Sequence, residues 1–216
     1  MTSPKEQLEA LSDIRSMMER SSRFISLSGL SGIFAGLTAL VGAYLAYLRL
    51  NQYYISEKTL RAGVRLFTAN PETIYDLVVI ALGVLVVALS FGVYFTTRNA
   101  KRKGQKIWDP IAQRLILNLF IPLAAGGIFC LILIYHQMTG LVPAATLIFY
   151  GLALINASKY TLRDIWYLGI CETILGLIAC FYIGYGLIFW AIGFGVLHII
   201  YGTVMYIKYE AKDTKA

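Results

Sequence analysis

The sequence predicts an all-α membrane protein, a polytopic bundle of six transmembrane helices with an N-terminal amphipathic helix. Of its 216 residues, 58% are hydrophobic, and the mean hydropathy is +0.66. Six apolar runs each approach the roughly 17–25 residues that a tilted helix needs to cross a bilayer. A soluble core of this size buries far less apolar surface, so we expect the lipid bilayer to be the partner of most of the chain.

The six apolar runs cover approximately residues 24–48, 73–97, 111–135, 141–157, 164–182 and 185–207. Three of their starts carry helix-start signals, in which a capping side chain or a first-turn proline precedes the run. These signals are Asn70-Pro71, Asp109-Pro110 and Thr161-x-x-Asp164. Together the runs predict a membrane domain over residues 23–208, followed by a short cytoplasmic tail at 209–216.

Residues 1–22 form a segment of different character. Ser3-Pro4-x-Glu6 has the pattern of a capping box with proline at the first helical position. Apolar residues then recur at helical spacing among charges, at Leu8, Leu11, Ile14 and Met18. The segment lacks the apolar core of a signal peptide, so we expect the first apolar run to stay as an anchor. The predicted cytoplasmic helix lies on the inner leaflet, extends the first membrane helix or binds a soluble partner.

The distribution of Lys and Arg predicts the orientation. Fifteen of the 19 basic residues fall in the N-terminal segment, the second and fourth gaps and the tail. Under the positive-inside rule, both termini are cytoplasmic in a multi-pass protein of the inner (plasma) membrane. The first gap is the exception, because it carries Arg49, Lys58, Arg61 and Arg65. Apolar Leu60, Val64 and Phe67 between these charges fit a short helix on the outer surface.

Several classes of function lose support from the residues. The net charge of +7 follows the membrane topology and forms no groove-lining basic stripe, so we expect no nucleic acid partner. Common hydrolase, metalloprotease and phosphate-loop motifs are missing from the sequence. Cys130, Cys171 and Cys180 lie in apolar runs without metal-ligand spacing. His136 and His198 lie at different depths, which disfavours a haem held between them. We expect no catalytic set, no metal and no cofactor.

Small residues trace one face of the first membrane helix, at Ser28, Gly32, Gly36, Ala39, Ala43 and Ala46. Faces of this kind mark helix contacts in membranes, because association there depends on close packing. Gly32, Gly36, Ala39 and Ala43 are therefore predicted helix-packing residues. The face contacts either another helix of the same chain or a second copy in a homodimer. The sixth run repeats the pattern more loosely, at Gly193, Gly195 and Gly202.

Polar side chains inside the runs fall at a common predicted depth. At about 1.5 Å of rise per residue, Glu172 lies about 12 Å from Asp164, and His198 lies about 15 Å from Lys208. The same measure places Asn118, Tyr150, Ser90 and Ser31 roughly 10–14 Å from the cytoplasmic boundary. These six residues form the predicted intramembrane polar site, in the inner half of the bilayer.

Glu172 is the strongest candidate for function, since an ionisable residue at this depth is costly unless it is paired, protonated or hydrated. His198 is its most plausible partner, and the two side chains could share a proton near neutral pH. The leading hypothesis is a proton-linked transporter or sensor of a small solute or ion, with a cavity lined by Glu172, His198, Asn118 and Tyr150. In the alternative, the polar residues only hold helices together. The protein is then an accessory or scaffold that recruits a soluble or lipid partner through its N-terminal helix and the basic loop 98–106.

Overall fold

The computed structural model describes residues 27–58, 71–102, 104 and 108–211, with the side chains of 53–58 excepted. These ranges contain six long helices and no strand. The first five are α1 (Gly29–Lys58), α2 (Pro71–Arg102), α3 (Pro110–Tyr135), α4 (Val142–Ala157) and α5 (Asp164–Phe181). Helix α6 covers residues 186–209 in three consecutive segments, Gly186–Trp190, the π-helical Ala191–Leu197 and His198–Tyr209. The all-α prediction is confirmed, and each helix lies in a segment long and apolar enough to cross a membrane.

The first helix is longer than predicted. Helix α1 runs to Lys58, well past the expected end at residue 48, because no proline or glycine interrupts residues 43–58. Arg49 therefore lies on α1, where its Nε atom approaches the Asp76 carboxylate of α2 to 3.7 Å. The proposed surface helix around Leu60–Phe67 and the amphipathic helix at 1–22 lie outside the described residues.

The helix starts follow the capping signals in two of three places. Helix α2 begins at Pro71. At α3, the Ala112 amide donates a hydrogen bond of 2.6 Å to the Asp109 carboxylate, and Pro110 takes the first helical position. At α5, the helix begins at Asp164, the predicted start of the run, directly after Arg163, which makes no side-chain cap. The Asp164 carboxylate instead accepts hydrogen bonds from α6.

The helices form a layered bundle in which α1 packs between α2 and α6, while α4 packs between α3 and α5. The first part of α6 also contacts α4. We call the end that carries Ser28, Asp164 and Glu210 the terminal face, and the opposite end, with the turns at 136–138 and 182–185, the turn face. At the terminal face, Ser28 Oγ and the Gly29 amide both donate to the Glu210 carboxylate. This contact joins the start of α1 to the end of α6, so the two described ends of the chain lie together.

Helices α1 and α6 approach each other through glycines. A Cβ atom on Gly202 would lie 2.6 Å from both the Gly29 oxygen and the Ile33 nitrogen. A Cβ on Gly36 would lie 2.6 Å from the Gly195 oxygen. The small-residue face of α1 thus packs against α6 of the same chain, and Ala39, Ala43 and Ala46 along it are also buried. A homodimer through this face would have to displace α6.

A second glycine contact, which the sequence did not single out, joins α4 to α5. A Cβ on Gly151 would lie 2.5 Å from the Gly169 oxygen, and one on Gly169 would lie 2.7 Å from the Gly151 oxygen. Two pairs of helices are therefore held at backbone contact, α1 with α6 and α4 with α5.

Replacing Gly202 by alanine should destabilise the protein by about 1–3 kcal/mol, because the added methyl group meets backbone that cannot move aside as a side chain could. Gly83→Ala is the matched control, since nothing lies within 4 Å of a Cβ there. It should leave stability unchanged or raise it by up to about 1 kcal/mol through helix propensity. Unfolding of the detergent-solubilised protein measures the stability of both variants. Equal stability of the two variants would contradict the close contact.

Candidate functional site

Glu172 lies at the meeting point of α4, α5 and α6 and is completely buried, with 0% of its surface exposed. The carboxylate lies against Gly193 of α6, and Leu147 of α4 approaches the same glycine. A Cβ atom on Gly193 would lie 2.5 Å from Glu172 Oε2 and 2.4 Å from Leu147 Cδ2. Glycine at position 193 therefore provides the space that the carboxylate occupies.

His198 connects Glu172 to α4. Its Nδ1 atom lies 3.4 Å from Glu172 Oε1 and 3.0 Å from the Gly193 carbonyl oxygen. Its Nε2 atom lies 2.7 Å from the hydroxyl oxygen of Tyr150. The imidazole is buried as well. One side chain from each of three helices thus forms a continuous polar cluster, which we call the Glu172–His198–Tyr150 site.

The contacts of His198 suit more than one distribution of protons. With a proton on Nδ1, the ring donates to Gly193 or Glu172, and Nε2 accepts from the Tyr150 hydroxyl. With a proton on Nε2 alone, the ring donates to Tyr150, and Nδ1 can accept only from a protonated Glu172. With both nitrogens protonated, the ring is a cation beside the carboxylate. A proton can therefore lie on either Glu172 or His198, but only with Nδ1 protonated is the contact with the Gly193 oxygen a hydrogen bond.

The carboxylate of Glu172 has few polar partners for a buried acid. Among the described residues, neither of its oxygens has a hydrogen-bond partner, although His198 lies at ion-pair distance. A charge enclosed in a membrane protein costs several kcal/mol unless it is paired and hydrogen-bonded. An ionised Glu172 beside a neutral His198 therefore has a high free energy. Protonation of His198 lowers that free energy by supplying a positive charge next to the carboxylate.

The π-helical segment Ala191–Leu197 directly precedes His198 and contains Gly193. A π-helical turn holds more residues than an α-helical turn, which changes the direction of the side chains that follow it. In this segment the Gly193 oxygen faces the ring of His198, five residues further along the chain. Such turns are frequent at functional sites. Only the closely spaced glycines Gly193 and Gly195 hinted at an irregular helix in the sequence.

Aromatic rings connect the site to a cavity on its turn-face side. Phe194 lies 4.9 Å from the Tyr150 ring and 5.0 Å from the Trp190 ring, between centroids. Trp190 in turn lines a cavity of about 290 Å³ between α1, α2, α4 and α6. The wall is mainly apolar, with Ala43, Ala46, Leu77, Val84, Pro143 and Leu187, and it also includes Thr139 and Thr146. Glu172, His198, Asn118 and Tyr150 do not line it, so the expectation that these four residues line a cavity is not met here.

The other three predicted site residues make separate contacts. Asn118 accepts hydrogen bonds from the Asn156 amide, 2.9 Å to its backbone oxygen and 3.2 Å to its side-chain oxygen, and this pair joins α3 to α4. Ser90 donates to the Val86 oxygen, and Ser31 donates to the Ser28 oxygen, so both hydroxyls bond to backbone of their own chain segment. The structure brings together only Glu172, His198 and Tyr150. Within the described ranges, no three His, Cys, Asp or Glu side chains group closely enough to hold a metal ion.

Removing the Tyr150 hydroxyl should change His198 specifically. The chain contains only two histidines, so ¹⁵N labelling of histidine yields two resolvable rings. In Tyr150→Phe, the Nε2 resonance of His198 should shift, while His136 serves as an internal control. The lost hydrogen bond should also cost about 0.5–2 kcal/mol of stability. Tyr182→Phe, at an exposed ring, should change neither quantity. An unmoved His198 resonance in Tyr150→Phe would contradict the observed contact.

Comparison with models of protein families, with curated proteins and with solved structures finds no match for this chain. The fold and the residues of the site carry the functional argument. Six helices that are long and apolar enough to cross a bilayer make the protein a multi-pass membrane protein.

Proposed function

We propose that the protein is a proton-linked transporter or sensor in which the protonation of the Glu172–His198–Tyr150 site controls the packing of α6 against α4 and α5. One observation carries the proposal: Glu172 is 0% exposed and lies 3.4 Å from an imidazole, with neither oxygen hydrogen-bonded among the described residues. A purely structural acid is expected to have its oxygens satisfied by donors. An acid whose cost depends on one nearby histidine suits a role in which protons are gained and lost.

The enclosure of the site favours coupling between protonation and movement. Glu172 has no contact with solvent in this conformation, so a proton reaches it only along side chains or after the helices separate. The side of the carboxylate toward α6 consists of Gly193 within the π-helical segment. That segment is the part of α6 best suited to rearrange, because its turns are less regular than those of an α-helix. Protonation then shifts a balance between packed and opened arrangements.

The cavity indicates what kind of solute such a protein would carry or sense. None of the described residues that line it is charged, so an uncharged or apolar solute fits this wall best. Contact with the site runs through Trp190 and Phe194 rather than through the carboxylate itself. A solute that moves Trp190 would disturb the ring stacked next to His198 and Tyr150. In this arrangement, solute and proton act on the same part of α6 from neighbouring positions.

Glu172→Gln keeps the shape of the side chain and removes its ability to exchange a proton. In purified protein reconstituted into vesicles, pH-driven proton flux should fall at least tenfold relative to wild type. Glu72→Gln is the control, because it makes the same substitution at an exposed residue in the first turn of α2, and its flux should match wild type. Wild-type vesicles that pass no protons, or a Glu172→Gln flux equal to wild type, would contradict transport.

A second candidate function is an accessory role at the membrane surface. It is favoured by the exposed basic end of α2, where Arg98, Lys101 and Arg102 border an open groove with Tyr94. Basic side chains at the end of a membrane helix attract anionic lipid headgroups. An accessory role of this kind does not require Glu172. It therefore predicts that Glu172→Gln retains every partner interaction, whereas Arg98→Gln combined with Lys101→Gln weakens binding to anionic vesicles.

A further inference from the structure

We infer that the hydroxyl of Tyr201 is the intermediate step of a proton route from the terminal face to the Glu172–His198–Tyr150 site. The inference rests on the proposed function, since it describes how protons reach that site. It begins from a second polar cluster at the terminal face. There Asp164 accepts hydrogen bonds from Lys208 Nζ, at 2.9 and 3.0 Å, and from the Tyr209 hydroxyl, at 2.6 Å.

The terminal cluster is partly exposed to solvent, whereas the Glu172–His198–Tyr150 site is largely buried. The side chains of Asp164 and Lys208 are 20% and 52% exposed, so protons can exchange there. Two helical turns of α5 separate Asp164 from Glu172, about 12 Å at 1.5 Å per residue. That distance is several times the length of a hydrogen bond. A polar group must therefore lie between the two clusters if a proton is to pass in this packed state.

Tyr201 occupies the intervening stretch of α6. His198, Tyr201, Met205 and Tyr209 follow one another at steps of three and four, which places them on one face of the helix. The two ends of this series belong to the two polar clusters. Tyr201 and Tyr150 both pack against the same apolar group, formed by Leu154, Ile165 and Leu168.

Within the described part of the chain, the hydroxyl of Tyr201 makes no polar contact that would stabilise the fold. It is buried and, among the described residues, makes no hydrogen bond. Phenylalanine would fill the same apolar surroundings without the cost of an unpaired hydroxyl. A hydroxyl is, however, both a donor and an acceptor. It can accept a proton on its oxygen from the terminal cluster while it releases its own toward Tyr150, directly or through one bridging water. The phenol is neutral before and after the transfer, so no charge is left behind.

On the turn-face side of the Glu172–His198–Tyr150 site, the surroundings do not continue the proton route. Beyond the site toward the turn face lie Phe194, Trp190 and the mainly apolar cavity wall. Among the described residues of that wall, only Thr139 and Thr146 carry hydroxyls, and the Thr146 hydroxyl donates to the Pro143 oxygen. In this packed state, protons would therefore enter and leave from the terminal face, and access from the other side would require the helices to separate.

A pH jump followed by infrared spectroscopy tests the route without any need for a known solute. The protein is reconstituted in vesicles, and the Glu172 carboxyl band is identified as the pH-dependent band that Glu172→Gln removes. In Tyr201→Phe, this band should respond at least tenfold more slowly, with its final amplitude unchanged and the unfolding midpoint equal to or above that of wild type, because the buried unpaired hydroxyl is removed. Tyr94→Phe is the control. It removes a hydroxyl at a similar distance from its helix end, on a ring that is 60% exposed, and it should respond like wild type.

The outcomes separate the two proposals. If Glu172→Gln removes no pH-dependent band, the proposed function fails, and the route fails with it. If the band is present and Tyr201→Phe responds as fast as wild type, only the route is overturned. A smaller amplitude together with a lower unfolding midpoint would show that Tyr201 acts through packing, which also overturns the route.

Discussion

The close approach of α6 to its neighbours is the constraint on which the rest of the structure depends. In a bilayer, helices associate through contact rather than through release of water from apolar surface, so the distance between their axes decides which side chains can meet. On α6, Gly202 admits the backbone of α1, Gly195 admits the Leu40 side chain of α1, and Gly193 admits the carboxylate of Glu172. With larger residues at these positions, α6 would be held away from α1 and α5. His198 would then lie too far from both Glu172 and Tyr150.

That constraint explains why an acid can remain enclosed in the bundle. Glu172 lies against Gly193, and among the described residues neither of its oxygens accepts a hydrogen bond. Its free energy in this position therefore depends strongly on His198, which lies at ion-pair distance. Such a group stabilises a fold poorly, and its free energy changes when a proton is gained or lost. The π-helical segment, the least regular part of α6, lies directly beside it.

The bundle is also asymmetric along its long axis. Toward the terminal face, polar groups continue from the site to Asp164, Lys208 and Tyr209, and the Glu210 carboxylate joins α6 to the start of α1. Toward the turn face, aromatic rings and then an apolar cavity replace them. A proton and an uncharged solute would thus meet at Phe194, each on the side whose chemistry it suits. The same helix would respond to both, because α6 carries residues of the site and of the cavity wall.

The sequence by itself determined the fold class, since long apolar runs have few alternatives to helices when lipid is the solvent. It also identified Glu172, His198 and Tyr150 as polar residues at a common depth, because depth follows from the constant rise of a helix. Depth did not show which residues would meet: Ser31, Ser90 and Asn118 share the predicted level and contact other groups. Contact depends on how each helix is rotated and on how closely backbones approach, and these are set by packing between residues far apart in the chain. The glycine contact between α4 and α5, the π-helical turns before His198 and the buried hydroxyl of Tyr201 were for that reason decided only by the tertiary structure.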